Sequence, residues 1–262
     1  MRRVAFLGAT KGMGRSLARA MAARGDRLFL LGRDRDDLVR SAADLEQRAG
    51  FNRGVAEGSM VDPDGWDGVI GHAHSDLERP ETFAPALDSA RAALGGLDTV
   101  VVTAGLFASQ QALEQDTAAL ERLLMVDFTH TVLFCEQARA RLLAGGGGTL
   151  CVFGSVAGDR ARKPVVLYGA AKAGLAAYLE GLDHRFHGAG LRTVTVKPGF
   201  VHTAMTAGLA PPPFAGQPEA VARRVLRAID RGTPVVYAPA IWRWIMLLIR
   251  CLPRGVMRRI GF

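Results

Sequence analysis

The sequence predicts an α/β protein whose single domain is built on a doubly wound parallel sheet. Short segments that are apolar throughout alternate with longer segments of helical periodicity. Strands of that kind are buried on both faces, as in parallel sheets covered by helices. The chain has 262 residues, of which 49% are hydrophobic, so it is long enough to bury a sizeable core in one domain.

The predicted elements alternate along the chain. The expected strands cover residues 4–7, 28–31, 69–73, 99–102, 150–153, 193–196 and 235–237. The expected helices cover residues 12–23, 35–48, 81–94, 117–143, 165–187 and 218–231. Four consecutive glycines at 145–148 predict a loop between a helix and a strand. Residues 51–66 are rich in Gly, Asp and Pro and have no steady period, which predicts a surface insertion or a mobile loop.

Composition points to a cytoplasmic enzyme or binding protein. No apolar run reaches the roughly 18 residues that span a bilayer. The apolar stretch after the first three residues ends at Leu7 and is soon followed by Lys11, so it is too short for a secretory signal. The three cysteines form no C-x-x-C pair and are expected to be reduced thiols.

A glycine-rich turn follows the first expected strand. Its glycines let the backbone turn tightly and approach a pyrophosphate, and the following helix offers free N–H groups and a positive dipole end. A glycine turn can also be a plain strand-to-helix connection, but its place in the first βα unit favours a dinucleotide site of the Rossmann type. The candidate phosphate-binding residues are Gly8, Thr10, Lys11, Gly12, Met13 and Gly14.

Two cations predict the form of the dinucleotide. An acidic residue at the end of the second strand would bind the ribose hydroxyls of NAD. Arg33 lies there instead, and its planar guanidinium suits a 2′-phosphate. Lys11 in the glycine turn adds a second positive charge. Although both could be ordinary surface cations, together they predict NADP(H).

Three side chains suggest proton-transfer chemistry. Tyr168 and Lys172 are four residues apart and share one helix face, so the ammonium is expected to lower the phenol pKa from about 10. Alone, this spacing is also typical of a half-buried helix face. Ser155 follows an expected strand at its carboxyl end, where ligands of parallel sheets bind, and its hydroxyl can hydrogen-bond a substrate carbonyl.

These motifs resemble the short-chain dehydrogenase/reductase family over nearly the whole chain. The matches are the glycine turn, Thr103-Ala104-Gly105, Ser155 with Tyr168 and Lys172, and Pro198-Gly199 followed by Val201 and Thr203. The resemblance implies that Ser155 orients a carbonyl, Tyr168 protonates its oxygen, and Lys172 holds the nicotinamide ribose. It also implies that Asp76 and Leu77 meet the adenine, that Thr103 to Gly105 contact the cofactor, and that Pro198, Gly199, Val201 and Thr203 border the nicotinamide.

Two positions depart from the family pattern. The family has Asn-Asn before Ala-Gly after the fourth strand, whereas Val102 and Thr103 lie here; Thr103 can still hydrogen-bond locally. The family has an asparagine in the long helix, where Asp127 stands here. An ionised Asp127 near Lys172 would favour the ammonium form, so Asp127 is counted among the candidate catalytic residues.

The C-terminal segment, residues 240–262, differs in character from the predicted NADP(H)-binding catalytic domain, residues 1–239. It is apolar, aromatic and basic, and the six arginines after Asp230 face no acidic residue in that part of the chain. Such a helix suits an anionic membrane surface or, equally, packing on the core or on a second subunit. Residues 155–259 are similar to the subgroup of decaprenylphosphoryl-2-keto-ribose reductases, which reduce a ketone on a lipid-linked sugar.

The resulting hypothesis is an NADPH-dependent reductase that converts a ketone, free or lipid-linked, into a secondary alcohol. It is expected to form a homo-oligomer through helices 117–143 and 165–187, and to lie in the cytoplasm or peripherally on the inner face of the membrane. A silent NADP(H)-binding regulator or a membrane scaffold remains the alternative. No metal site is expected, because His72 and His74 have no nearby partner, and no motif indicates nucleic-acid binding.

Overall fold

The structure is a computed structural model, and it describes residues 1–49, 69–208 and 210–261. The expected insertion near 50–68 lies outside the described residues. The strands are β1 (Arg3–Leu7), β2 (Arg27–Gly32), β3 (Gly71–His74), β4 (Thr99–Val102), β5 (Gly148–Phe153), β6 (Leu191–Pro198) and β7 (Val235–Ala238). The helices are α1 (Gly12–Ala23), α2 (Arg35–Arg48), α3 (Phe83–Leu94), α4 (Gln110–Gln115), α5 (Thr117–Leu124), α6 (Thr131–Ala144), α7 (Val166–Phe186), α8 (Pro218–Arg231), α9 (Trp242–Cys251) and α10 (Arg254–Arg259).

The seven strands form one sheet in the order β3-β2-β1-β4-β5-β6-β7, and every neighbouring pair is parallel. The chain order reverses between β1 and β4. In sheets of this kind, ligands bind in the crevice outside the carboxyl ends of the strands at that reversal. The predicted fold class is therefore confirmed, and it places the expected site at the ends of β1 and β4.

Two apolar layers cover the sheet. One contains buried side chains of α1, α2 and α8, and the other contains buried side chains of α3, α6 and α7. Local signals explain several helix ends. Asp34 caps α2 by accepting the N–H of Asp37 at 2.9 Å. Pro218 begins α8, and Gly232 ends it in the left-handed conformation at φ 64°.

Apart from small shifts at the ends of other elements, such as β6, the structure differs from the predicted elements in four places. The short helix α4 was not predicted. The expected helix 117–143 consists of α5 and α6 joined by a π-helical segment, Met125–His130. Gly148 is the first residue of β5, so the glycine loop is shorter than predicted. The third strand begins two residues later than predicted and ends at His74.

The C-terminal segment folds back onto the main domain. Trp242, Met246 and Ile249 of α9 are buried in a cluster that includes Val156, beside the candidate catalytic Ser155. The guanidinium of Arg160 donates to the carbonyl of Leu252 at 2.9 Å, at the end of α9. One face of the tail is thus a packing element, as one of the two sequence hypotheses required.

Candidate active site

A cavity of about 370 Å³ opens at the carboxyl ends of β1 to β4, at the reversal of strand order. Its size falls within the range of ligand pockets. Predicted cofactor residues line most of it: Gly8, Thr10, Lys11, Gly12, Met13, Gly14, Arg33, Asp76, Leu77, Thr103, Ala104, Gly105 and Thr203. The remaining predicted cofactor residues, Tyr168, Lys172, Pro198, Gly199 and Val201, are not among its lining residues.

The glycine turn has a geometry that requires glycine. Gly8 has φ 96°, and a Cβ atom there would lie 2.6 Å from the backbone nitrogen of Ala104. A Cβ atom on Gly14 would collide with the carbonyl oxygen of Gly8. Thr103 donates its hydroxyl to that same carbonyl at 2.8 Å, so it joins the end of β4 to the turn. This is the local hydrogen bond expected of Thr103.

The turn leads directly into the first turn of α1. Lys11 at the N-cap position makes no side-chain cap bond, so no side chain at this position satisfies the first N–H groups of the helix. These groups and the helix dipole suit a phosphate. A side chain at Gly12 would begin 3.4 Å from Cγ2 of Thr203, which places the loop after β6 over this end of the cavity.

Both cations predicted to recognise a 2′-phosphate lie at the cavity, and each already has an acidic partner. Nζ of Lys11 lies 2.8 Å from Asp37, and the guanidinium of Arg33 lies 3.6 Å from Glu78. The side chains of Lys11 and Arg33 are 70% and 61% exposed, so these ion pairs are weak and can rearrange. Lys11 lowers the pKa of Asp37, which therefore stays ionised beside the site.

The turn after β3 matches the predicted adenine end. Asp76 accepts the N–H of Glu78 at 3.0 Å through its carboxylate, which holds the turn. Leu77 is buried, and its carbonyl oxygen contacts Nδ1 of His130. Asp76 and Leu77 consequently occupy fixed positions on the cavity wall.

Two glycines bring three of the four predicted catalytic residues, Ser155, Tyr168 and Lys172, together. Ser155 is followed by a short 3-10 segment, and the Ser155 hydroxyl accepts the N–H of Ala157 at 3.1 Å. A Cβ atom on Gly158 would lie 2.7 Å from the carbonyl carbon of Lys172, and one on Gly169 would lie 2.9 Å from the carbonyl oxygen of Ala157. Close backbone packing at both glycines therefore seats α7 against the segment that carries Ser155.

The ammonium group of Lys172 lies close to the wall of the cavity. A side chain at Gly105, on the cavity wall, would begin 3.4 Å from Nζ of Lys172 and 3.0 Å from Oδ1 of Asp127. Oδ1 of Asp127 accepts the N–H of Leu106 at 2.7 Å, and Oδ2 lies 3.3 Å from Nζ of Lys172. The latter contact is an ion pair without the angle of a hydrogen bond.

This ion pair sets the charge of Lys172. Burial is the largest single effect and lowers the lysine pKa, but the negative charges of Asp127 and of ionised Tyr168 together outweigh it, so the pKa rises above its ordinary value of 10.5. Lys172 is consequently an ammonium throughout the neutral range. The expectation that Asp127 favours the ammonium form is confirmed.

The predicted lowering of the Tyr168 pKa is wrong for this arrangement of side chains. Burial raises the pKa of the phenol above 10.0, and the carboxylate of Asp127 raises it further. Lys172 and the hydroxyl of Ser155 act in the opposite direction without cancelling these effects. The prediction considered Lys172 alone, whereas the structure also places an anion and apolar surroundings at the ring.

Three residues of the site were not predicted. Phe107 packs edge-on against the ring of Tyr168, with centroids 5.2 Å apart. Leu106 supplies the N–H bound by Asp127. The side chain of Gln110 accepts the N–H of Leu167 at 3.1 Å and so connects α4 to the start of α7. The available signal was Ser109, which caps α4.

The loop after β6 is held in place by contacts of Val201, Thr203 and Gly199. Val201 is buried, and it pairs with Gly216 in an isolated parallel bridge. The hydroxyl of Thr206 accepts the N–H of Thr203 at 3.1 Å, in a capping box that fixes Thr203 over the glycine turn. A side chain at Gly199 would collide with the indole of Trp242, so the tail closes this end of the loop.

Two further observations concern metals and membranes. Within residues 1–49, 69–208 and 210–261, no three His, Cys, Asp or Glu side chains are grouped to hold a metal ion. His72 and His74 are both exposed on β3. In the same part of the chain, no helix combines the length and the apolar character that crossing a bilayer requires.

Comparisons with known proteins agree with this geometry. The sequence model of the family described as short chain dehydrogenase matches residues 2–212. A curated relative, an uncharacterized oxidoreductase of Mycobacterium tuberculosis, is 33% identical over 256 residues, which cover 98% of this chain and 96% of the relative.

Solved structures show the same architecture. A short-chain dehydrogenase from Sphingobium yanoikuyae, determined in complex with NADPH, is 25% identical and has a TM-score of 0.76 over 98% of this chain and 95% of its own. A short-chain type dehydrogenase/reductase from Mycobacterium ulcerans, 21% identical, has a TM-score of 0.76 over 89% of this chain and 86% of its own, and shares the fold. On the family match and the 33% identical relative, the chain belongs to the short-chain dehydrogenase family of oxidoreductases.

Proposed function

We propose that this protein uses NADPH to reduce a ketone to a secondary alcohol. The observation that carries the proposal is the convergence of Ser155, Tyr168 and Lys172 beside a cavity with a glycine-lined phosphate cradle. A regulator that only bound the dinucleotide would need the cradle but not this group of side chains.

The residues of the cavity fit a dinucleotide. Cβ atoms on Gly8 and Gly14 would fill the space where the backbone turns, so these glycines keep it open for a pyrophosphate. The start of α1 would hold the phosphates, Leu77 and Asp76 would face the adenine, and Lys172 would bind the nicotinamide ribose. The choice of NADPH rests on Lys11 and Arg33 at the cavity, and the Sphingobium yanoikuyae structure bound NADPH.

The chain's own residues supply the proton chemistry. When bound, NADPH would supply the hydride. The Ser155 oxygen already accepts an N–H from Ala157, so its own proton remains available to a substrate carbonyl oxygen. Because burial and Asp127 raise its pKa, Tyr168 stays protonated at neutral pH and can give its proton to the developing alkoxide. The hydride and this proton together convert the carbonyl into an alcohol.

Lys172 and Asp127 have supporting roles in this scheme. The ammonium of Lys172 lowers the free energy of the tyrosinate that remains after proton transfer. Oδ2 of Asp127 lies 3.3 Å from Nζ of Lys172 and attracts the ammonium, and the carboxylate is itself fixed by the N–H of Leu106. We include Asp127 among the functional residues because it sets the charge of Lys172.

We further propose that the substrate is lipidic, as in the lipid-linked sugar ketones suggested by the subgroup resemblance. The tail helix α9 starts at the carboxyl edge of the sheet and contacts Val156, next to Ser155. Its outward face carries the exposed side chains Trp244, Leu247 and Leu248. An exposed apolar face at the catalytic edge would place the substrate entrance beside lipid.

The charges of the tail support a peripheral position on an anionic membrane. Arg243, Arg250, Arg254, Arg258 and Arg259 accompany the exposed apolar side chains. Each arginine near an anionic surface adds attraction of about 1 kcal/mol. Phe214 is a further exposed apolar side chain, in the loop that reaches Pro239 through Gly216.

We also propose a homo-oligomer that pairs through α5, α6 and α7. Leu124 of α5, Phe128 of the π-helical segment and Leu133 of α6 are partly exposed apolar side chains. Burying them against a second copy would remove this apolar surface from water.

The direct test is a panel of ketones with the purified full chain. The panel contains simple ketones, keto acids, sugar ketones and lipid-linked keto sugars in detergent, and NADPH oxidation is followed by absorbance. Oxidation of NADPH that is accompanied by formation of the alcohol product supports the proposal. Tight NADPH binding without turnover on any member would instead favour the silent regulator.

A further inference from the structure

The guanidinium of one arginine, Arg162, has no partner within the described part of the chain. Along the chain, Arg162 lies between the segments that carry Ser155 and Tyr168. Arg162 follows Ser155 by seven residues and precedes Tyr168 by six, in the loop that leads into α7. Among the described residues its side chain makes no hydrogen bond or ion pair, and its Nε is fully buried although the residue as a whole is half-buried. A buried donor without a partner costs free energy, and a cation costs more than a neutral group.

The nearest carboxylate is already occupied. Asp159 has a buried carboxylate that accepts from Nζ of Lys197 through one oxygen and from the hydroxyl of Tyr237 at 2.8 Å through the other. The attraction of Asp159 reaches Arg162 without a contact at hydrogen-bond distance. Arg250 approaches the same tyrosine, so the local charge is positive.

A second unused donor lies on the same edge of the sheet. The indole of Trp242 is 9% exposed, and its Nε1 is buried without a hydrogen-bond partner among the described residues. This nitrogen lies against Gly199 at the end of β6, and Trp242 also packs on Val156. Arg162 and Trp242 therefore each have a buried N–H donor without a partner among the described residues.

We propose that Arg162, in the loop between Ser155 and Tyr168, binds an oxyanion carried by the ketone substrate, a phosphate or a carboxylate. The guanidinium offers a planar set of donors that matches either group. Burial lowers the pKa of Arg162, yet the group stays cationic in the working range, so an anion would recover the lost interaction. This inference rests on the proposed reductase function and adds a substrate class to it.

The first experiment compares matched substrate pairs. Each pair contains an anionic ketone and its neutral counterpart: a keto acid with its methyl ester, and dihydroxyacetone phosphate with dihydroxyacetone. For the unmodified chain, kcat/KM should favour the anionic member. Arg162→Gln should reduce this preference by about tenfold or more, the loss of one charge-assisted hydrogen bond, through KM rather than kcat. Arg162→Lys should restore part of it.

The matched control is Arg227→Gln, which removes the same charge from an exposed position on α8. It should leave the preference unchanged. If Arg162→Gln loses kcat/KM equally for both members of each pair, Arg162 is structural and the proposal is wrong. If Arg227→Gln changes the preference as much as Arg162→Gln does, the effect is one of net charge, which also overturns the proposal. The relative effect on keto acids and ketone phosphates distinguishes carboxylate from phosphate.

The second experiment does not depend on turnover. With saturating NADPH present to fill the phosphate-binding start of α1, inorganic phosphate, compared with chloride at equal ionic strength, should raise the Tm of the unmodified chain and of Arg227→Gln but not of Arg162→Gln. The same stabilisation of all three proteins overturns the site. If no ketone is reduced but phosphate still stabilises only proteins with Arg162, the reductase proposal fails while the anion site stands.

Discussion

The carboxylate of Asp127 lies 3.3 Å from the ammonium nitrogen of Lys172, and the two side chains are 0% and 6% exposed. A buried ion pair at this position links the π-helical segment between α5 and α6 to the catalytic face of α7. The carboxylate of Asp127 raises the pKa of Lys172 and also the pKa of Tyr168. One substituted residue of the family pattern therefore acts on two titrating groups in the same direction.

Asp127→Asn should keep reductase activity near neutral pH and lose it earlier on the alkaline side. An asparagine oxygen can still accept the N–H of Leu106, but the negative charge that raises both pKa values is gone. In the unmodified chain both pKa values lie above their ordinary 10.0 and 10.5. A pH–rate profile of both proteins should show the alkaline limb at lower pH in the variant; an unchanged limb contradicts the role assigned to the ion pair.

The same substitution should reduce stability. Removing one partner of a buried ion pair costs about 3–5 kcal/mol. Because the raised pKa belongs to the lysine, the stabilisation is present below its ordinary value of 10.5 and is lost as pH rises through the folded value. Denaturant titration at neutral pH should therefore show the deficit. Equal free energies of unfolding for the two proteins would contradict it.

Tyr168→Phe should abolish ketone reduction and leave NADPH binding nearly intact. The phenol oxygen is the proposed proton donor, while the glycine turn and Lys172 are unaffected. Turnover and cofactor fluorescence are measured on the same preparation. Phe107→Leu serves as a control, since it alters the packing against the ring but keeps the proton donor. Substantial turnover by Tyr168→Phe would remove this residue from the mechanism.

NADPH should bind more tightly than NADH, and Arg33→Ala should weaken the preference by about tenfold. A charge-assisted hydrogen bond contributes about 1.5–3 kcal/mol, and exposure and competition from Glu78 favour the lower end. Lys11→Ala should act in the same direction. Arg35→Ala is the control, because Arg35 carries the same charge outside the cavity lining. Both dissociation constants are measured by fluorescence titration, and an unchanged ratio in Arg33→Ala contradicts the assignment.

The full chain should sediment with anionic vesicles at low salt and be released as salt rises. Replacing Trp244 and Leu248 by serine should weaken this binding, since both side chains are exposed on α9. These point substitutions are preferable to a chain that ends at Pro239, because removing the whole tail would also remove Trp242 from the cluster around Val156. If the full chain stays in the supernatant with anionic vesicles, the membrane proposal is contradicted, and the exposed face of α9 is then a subunit contact.

Gly199→Ala and Trp242→Ala should each destabilise the protein, and the double variant should be more stable than the sum of the two losses predicts. Truncation of a buried tryptophan costs about 3–5 kcal/mol. The Cβ atom introduced at Gly199 collides with the indole, and that collision disappears when the indole is absent. A double-mutant cycle of free energies of unfolding measures the coupling; strict additivity would contradict the docking of α9 on the loop after β6.

Local sequence signals were sufficient for the elements that carry their own boundaries. The bounds of α1, α2 and α8 were predicted correctly, because the glycine turn, Asp34, Pro218 and Gly232 mark their ends. Helix α4 was missed because it is six residues long, is largely polar and buries only Leu113. Its stability comes from packing on α7 and from Gln110, neither of which has a periodic signature.

The sequence by itself determined the fold class, the glycine turn and the shared helix face of Tyr168 and Lys172, because glycine geometry and helical spacing act within a few residues; Ser155 was joined to them by the family resemblance. Only the tertiary structure decided the sign of the Tyr168 pKa shift, the ion pair of Asp127 and the burial of Trp242. Each of these depends on which distant groups share one desolvated space, and electrostatic and packing free energies are set by that proximity rather than by order along the chain.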